Sequence, residues 1–115
     1  MIPASQVLLG RRAGDALNAL ECSSSKESRS IAGRVRAYRP LLLVDCLHGE
    51  VVRKSSIPRP LVDQYRLESL YVEDLPQFWR MLYTIVKREG QRVVVIIEIV
   101  DHRHYSKWFP GRRGR

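Results

Sequence analysis

The residues best suited to proton transfer and anion binding lie in the last third of the chain, residues 76–113. Two apolar runs there are separated by a short turn, and a tail rich in His, Tyr, Lys and Arg follows directly. Imidazole exchanges protons near neutral pH, and a guanidinium can hold a phosphate through two parallel hydrogen bonds. A rigid hairpin that delivers such groups to one edge is suited to cleaving RNA.

The overall charge indicates an anionic partner. The chain of 115 residues carries 20 Lys and Arg against 12 Asp and Glu, for a net charge of +8. A small domain this basic usually meets a polyanion. An acidic protein would satisfy the same charge, so charge alone leaves both RNA and protein open. We expect a single domain over residues 1–111 and a disordered basic tail over 112–115.

The cysteines and the apolar runs exclude several classes of protein. Cys22 and Cys46 have no His or second Cys at metal-ligand spacing, so no metal site is expected. Each lies on the apolar side of a predicted helix, which favours two buried free thiols and leaves a disulfide between them open. No apolar run approaches the ~20 residues that span a bilayer. The N-terminus lacks the order of a signal peptide, so we expect a cytoplasmic location.

The first half of the chain predicts one strand and two helices. Gln6–Leu9 is a short apolar run, and Arg11–Glu21 has apolar residues at helical spacing. A capping box from Ser24 to Glu27 opens the second helix. Pro40 should kink or break this helix, which then ends near His48–Gly49.

The second half predicts an antiparallel sheet. Residues 50–66 are expected to form an irregular connection, because Pro58 and Pro60 interrupt regular structure. Three strands follow, at Leu67–Asp74, Phe78–Lys87 and Gln91–Val100. The sequence therefore predicts an α+β fold of order β-α-α-β-β-β, in which two N-terminal helices pack on one face of an antiparallel sheet of three to four strands.

The register of the last hairpin stays open at this point. Gly90 supplies the positive φ that the turn needs. A three-residue loop would place Arg80 opposite Glu98 as a cross-strand ion pair, whereas a two-residue loop would place Arg80 opposite Ile99.

Several short motifs of this region fall in an order that resembles a known family. The motifs are Trp79-Arg80-x-x-Tyr83-x-Ile85, a Val/Ile strand, and Asp101-His102-x-x-Tyr105-x-x-x-Phe109, with Ile57-Pro58, Tyr65 and Leu70-Tyr71 upstream. Together they resemble the RelE/ParE toxin superfamily, and most closely its archaeal RelE-like branch. The likeness is strong over residues 57–109 and weak before residue 50.

The resemblance implies a function and partners. RelE-like members are mRNA endonucleases that act on the ribosome without a metal or other cofactor, through attack of the 2′-hydroxyl on the adjacent phosphate. ParE-like members share the fold and poison DNA gyrase. Each is usually neutralised by a small acidic antitoxin, and a homodimer or a toxin–antitoxin heterotetramer is compatible with such a pair.

The resemblance also assigns roles to individual residues. Arg80 would clamp the scissile phosphate, His104 would protonate the leaving 5′-oxygen, and Tyr105 would stack on a base or share the acid role. Active members carry Lys or Arg on the preceding strand, where this chain has Glu73 and Asp74. Glu73 is therefore either the base that activates the 2′-hydroxyl or a sign of a degraded site that binds RNA or a protein partner without cleavage.

The remaining candidates are cations and aromatics near these motifs. His102 fits a structural role at the strand end, and Trp108 and Phe109 fit packing residues that close the sheet. Cations in the connection and the tail could contact phosphates or lie on a solvated surface; they are Arg53, Lys54, Arg59, Arg103 and Lys107.

Overall fold

A computed structural model describes residues 1–111 of the chain. The predicted tail, residues 112–115, lies outside the described residues. The elements are β1 (Gln6–Leu9), α1 (Arg11–Cys22), α2 (Lys26–Val44), β2 (Glu50–Val51), α3 (Arg59–Tyr65), β3 (Tyr71–Asp74), β4 (Arg80–Arg88), β5 (Gln91–Val100) and α4 (His102–Trp108). The α+β class is confirmed, but the predicted antiparallel sheet of three to four strands and two helices is wrong in detail. In this part of the chain the sheet has five strands with one parallel pair, and there are four α-helices.

The first strand and the two long helices form where the apolar pattern predicts them. Helix α2 begins one residue later than expected, because Ser25 is the N-cap and its hydroxyl accepts from the backbone N–H of Ser28 at 3.2 Å. Helix α2 continues through Pro40, so the proline does not break it. The predicted end is wrong, because the helix ends at Val44 rather than near His48–Gly49.

The five strands lie in the order β1-β5-β4-β3-β2. All neighbouring pairs are antiparallel except the pair of β1 and β5, which is parallel. The first strand of the chain, β1, therefore lies beside the last strand, β5. This pairing places the start of α1 next to the end of β5, since Leu9 pairs with Ile96 and the N–H of Gly10 donates to the Ile96 carbonyl at 2.8 Å.

The last hairpin has a two-residue turn, but neither predicted partner of Arg80 is correct. Arg88 pairs with Gln91, and both turn residues, Glu89 and Gly90, have positive φ. The register then shifts between Leu82 and Tyr83, because one extra residue of β5 bulges out of the ladder. Arg80 consequently pairs with Val100 instead of Glu98 or Ile99.

The prediction of an irregular connection over residues 50–66 is also wrong. Glu50–Val51 adds a two-residue edge strand to the sheet, and Arg59–Tyr65 forms helix α3. Pro58 precedes this helix and Pro60 lies in its first turn. Proline is tolerated there because the first N–H groups of a helix have no intrahelical acceptor.

The sheet is covered on both faces, whereas helices were predicted on one face only. Helices α1 and α2 pack on the first face through a core that includes Leu17, Val35 and Tyr83. Helices α3 and α4 contribute Leu61 and Tyr105 to a second core on the opposite face. Both cysteines are free, but only Cys46 is buried and Cys22 is exposed.

Candidate functional site

The four residues predicted to form a catalytic site do not converge. Arg80 is only 2% exposed, its Nε lies 3.1 Å from a carboxylate oxygen of Asp74, and its Nη1 donates to the Trp79 carbonyl at 3.0 Å. Its guanidinium carbon lies 5.2 Å from the centre of the Tyr105 ring. Arg80 is thus enclosed by protein on the second face of the sheet, where a phosphate cannot reach it without rearrangement.

Glu73 lies on the opposite face from Arg80. It pairs in the ladder with Met81, whose side chain belongs to the first core, and neighbouring strand residues alternate between faces. The Glu73 carboxylate is buried and contacts Nδ1 of His48 at 2.7 Å. Burial raises the pKa of Glu73, although the hydrogen bond from His48 opposes this effect. Glu73 and Arg80 therefore do not face a common substrate position in this structure.

Tyr105 is buried as well. Its ring stacks on Phe109 with centroids 4.8 Å apart, and Arg80 occupies the neighbourhood of the same ring. A base could not stack on Tyr105 in this arrangement. The packing role predicted for Phe109 and Trp108 is consistent with their places in and against the second core.

His104, in contrast, is exposed and oriented. Its Nδ1 lies 2.7 Å from a carboxylate oxygen of Asp101, and its backbone N–H donates to the same oxygen at 2.9 Å. These bonds lower the pKa of Asp101, the backbone bond most strongly. The Asp101 carboxylate accepts a hydrogen bond in the tautomer with the proton on Nδ1, and Nε2 then carries the free lone pair of the neutral ring.

His104 and Asp101 line a groove of about 560 Å³ between α1, the end of β5 and the start of α4. We call it the α1–α4 groove. Its floor and walls combine apolar and polar residues: Arg12, Asp15, Ala16, Ala19, Leu20, Ser28, Trp79, Glu98, Ile99, Val100, Asp101 and His104. The half-buried indole of Trp79 is its aromatic component.

Arg12 is the cation of this groove. Its Nε donates to the Glu98 carboxylate at 2.8 Å, and the side chain is 60% exposed while that of Glu98 is 3% exposed. The Tyr65 hydroxyl donates to the same carboxylate oxygen. Burial, followed by this bond to Glu98, raises the pKa of Tyr65, so the hydroxyl remains a donor. Glu98 thus fixes Arg12 through its inner nitrogen and leaves the two terminal nitrogens for an anion.

The sequence alone did not point to Arg12. The double Arg11-Arg12 after a strand and a glycine was visible, but only the parallel pairing of β1 with β5 brings it to Glu98. Gly10 permits this approach, since a Cβ there would lie 3.2 Å from the Ile96 carbonyl oxygen. Asp101 was a motif residue, and its role as the partner of His104 follows from its position as the N-cap of α4.

The predicted RNA-binding cations are all exposed and lie on different elements of the fold. Arg53 and Lys54 lie after β2, and Arg59 forms an ion pair with Asp63 one turn along α3. Arg103 and Lys107 lie four residues apart on α4, close in the chain to His104. Among residues 1–111, no group of His, Cys, Asp and Glu could hold a metal ion, and no helix is long and apolar enough to cross a membrane.

Comparisons with protein-family models, with curated proteins and with solved structures found no significant match to this chain.

Proposed function

We propose that this protein is the toxin of a type II toxin–antitoxin pair with a RelE/ParE-like fold, and that it cleaves mRNA on the ribosome. The motifs around Trp79-Arg80 and Asp101-His102 support this proposal. So does the arrangement of a first strand, two helices on one face and a final antiparallel hairpin. The observation that carries it is the α1–α4 groove, where an oriented histidine and an anchored arginine line one opening.

The groove suits phosphodiester cleavage by an internal nucleophile. Arg12 would bind the non-bridging oxygens of the scissile phosphate and stabilise the extra charge of the transition state. The 2′-oxygen attacks phosphorus and loses its proton to water, while the bond to the 5′-oxygen breaks. Protonated His104 gives its proton to that 5′-oxygen. The products are a 2′,3′-cyclic phosphate and a 5′-hydroxyl, and this assignment replaces Arg80 by Arg12 as the phosphate ligand.

The test is cleavage of a defined mRNA on translating ribosomes, followed by mapping of the new ends. His104→Ala should lower the cleavage rate by about 10²- to 10⁴-fold, which is the usual contribution of general acid–base catalysis. His48→Gln is the matched control, because His48 contacts Glu73 outside the groove and should not change the rate. Full cleavage by His104→Ala would contradict the proposal.

A non-catalytic function is the second candidate, and the burial of Arg80 against Asp74 favours it. In that case the protein would bind the ribosome or RNA through its basic surface without cutting. Translation would then be inhibited with no new RNA ends, and His104→Ala would have no effect. Growth arrest that tracks DNA breaks by gyrase would contradict both functions and support a ParE-like activity.

An acidic antitoxin is the partner that we propose for the toxin. The net charge of +8 supports an acidic chain. Exposed apolar side chains at the end of α2 and just beyond it offer contacts for such a chain; they are Leu41, Leu43, Val44 and Leu47. Co-expression with the product of a neighbouring short acidic reading frame should yield a stable complex that no longer inhibits translation.

A further inference from the structure

The turn between β3 and β4 holds an aromatic ring in solvent at a conformational cost. Gln77 and Phe78 both have positive φ, 61° and 62°, a region that non-glycine residues rarely adopt and that is unfavourable for a bulky side chain. Phe78 is nevertheless 67% exposed. Strained backbone persists where the surrounding structure enforces it, and it is concentrated at functional positions.

Backbone hydrogen bonds enforce this turn. The N–H of Leu75 donates to the Trp79 carbonyl at 2.9 Å, and the N–H of Trp79 donates to the Pro76 carbonyl at 3.3 Å. The flanking residues Asp74 and Arg80 are paired in the sheet and joined by their ion pair. The turn is therefore closed at its base, and the strain is confined to the two residues that present the ring.

The Phe78 ring contacts α4, a helix that also carries exposed cations. It meets the ring of His102 edge to face, with centroids 6.2 Å apart and planes at 64°. His102 is itself bonded to the Ser106 hydroxyl at 3.2 Å. Viewed down the axis of α4, the exposed side chains of Arg103 and Lys107 lie at angles between those of His102 and His104. Neither cation forms an ion pair with an acidic side chain within residues 1–111.

We infer that Phe78 is a stacking platform for an unpaired base of single-stranded RNA. One base of the RNA would stack on Phe78, and the neighbouring phosphates would contact Arg103 and Lys107. The RNA would then enter the α1–α4 groove, which Trp79 and His104 line. This inference rests on the proposed function that the protein acts on RNA. An aromatic ring serves every base because each base has a π-face, and only an unpaired strand exposes that face. The exposed cations favour a polyanion over an apolar protein surface.

The experiment measures binding to RNA separately from cleavage. The affinity of the full chain for a fluorescently labelled, unstructured RNA of about ten nucleotides is measured by anisotropy, with the same sequence in a duplex as comparison. Phe78→Ala should weaken single-strand binding about tenfold, the effect expected for one lost base stack. Phe78→Tyr should restore affinity to within about twofold, because the ring is retained.

Val51→Ala is the matched control, because it truncates another exposed apolar side chain, on the edge strand β2. It should bind RNA as the unmodified protein does. Unchanged affinity in Phe78→Ala would overturn the inference and leave the ring to a protein partner, as would equal affinity for the duplex or no RNA binding at all. If Phe78→Ala weakens binding and the unmodified protein does not cleave mRNA on ribosomes, the result supports the inference and rejects the nuclease.

Discussion

At the scale of single residues, Arg80 shows how a motif residue can have a structural role. Its side chain is enclosed between Asp74, the Trp79 carbonyl and the Tyr105 ring. An arginine in that position stabilises the fold through the packing of its aliphatic chain and through the electrostatic interactions of its guanidinium group. Loss of function in an Arg80 variant would therefore not by itself identify a catalytic group.

We expect Arg80→Ala to lower the free energy of unfolding by about 2–5 kcal/mol, because truncation of a fully buried side chain leaves a cavity. Asp74→Asn should cost less, about 1–3 kcal/mol, because it removes the ionised partner and keeps the shape. Urea unfolding of the two variants checks both values. An Arg80→Ala protein as stable as the unmodified chain but unable to cleave RNA would return Arg80 to the catalytic site.

Glu73 should make the stability depend on pH. Burial raises its pKa in the folded state above the ordinary value of 4.5, so the folded chain holds this proton to higher pH than the unfolded chain does. Its contribution is therefore fully present below the ordinary value and is lost as pH rises through the raised pKa.

The matched variant for this effect is Glu73→Gln, which cannot ionise and keeps a hydrogen-bonding group for His48. Its free energy of unfolding should rise relative to that of the unmodified chain as pH increases from 4.5 toward neutrality. Urea unfolding at several pH values measures the difference. A difference that is constant across this range would show that Glu73 titrates alike in the folded and unfolded chains.

At the scale of elements, the sequence predicted what depends on local pattern. Helix α1 and strand β5 follow apolar spacing, and the Gly90 turn follows from the need for positive φ. Pro58 and Pro60 favour an irregular connection in the sequence, yet helix α3 forms because proline is compatible with a first helical turn. The bulge in β5 shifts the pairing partner of Arg80 by one residue, and no local feature of the sequence predicts this bulge.

Contacts distant in the chain set the rest of the site. The groove requires β1 to pair in parallel with β5, so that Arg12 meets Glu98, 86 residues later. Neither residue carries a signal of that contact, whereas the Asp101–His104 pair is local and follows from a helix N-cap. The sequence could therefore suggest His104, the proposed proton donor, but not Arg12, which lines the same groove.

Pro40 makes a prediction about the second helix. A proline within a helix removes one N–H donor and crowds the preceding turn, which costs about 3 kcal/mol at an unconstrained interior site. Helix α2 nevertheless extends through this position. Pro40→Ala should therefore raise the free energy of unfolding by about 1–3 kcal/mol, as measured by urea unfolding. A fall in stability would mean that the packing of the ring exceeds the cost of the missing donor.

At the scale of the whole molecule, the net charge of +8 attracts any polyanion, so binding of RNA as such does not locate a site. Comparing the salt dependence of binding between variants does identify the binding site, because each contact with a phosphate releases condensed counterions. For single strands the slope of log K against log salt concentration changes by about 0.7 for each such contact. A residue in the binding site must therefore change the slope, whereas a distant charge should not.

Arg12→Gln and Arg88→Gln remove the same charge from opposite ends of β5, since Arg12 contacts Glu98 and Arg88 pairs with Gln91 at the turn. We expect Arg12→Gln to lower the magnitude of this slope by about 0.7, and Arg88→Gln to leave the slope unchanged. Titration of a labelled single-stranded RNA at four or more salt concentrations measures both. Equal changes in the two variants would mean that the net charge holds RNA without a defined site, and the α1–α4 groove would then lose its assignment.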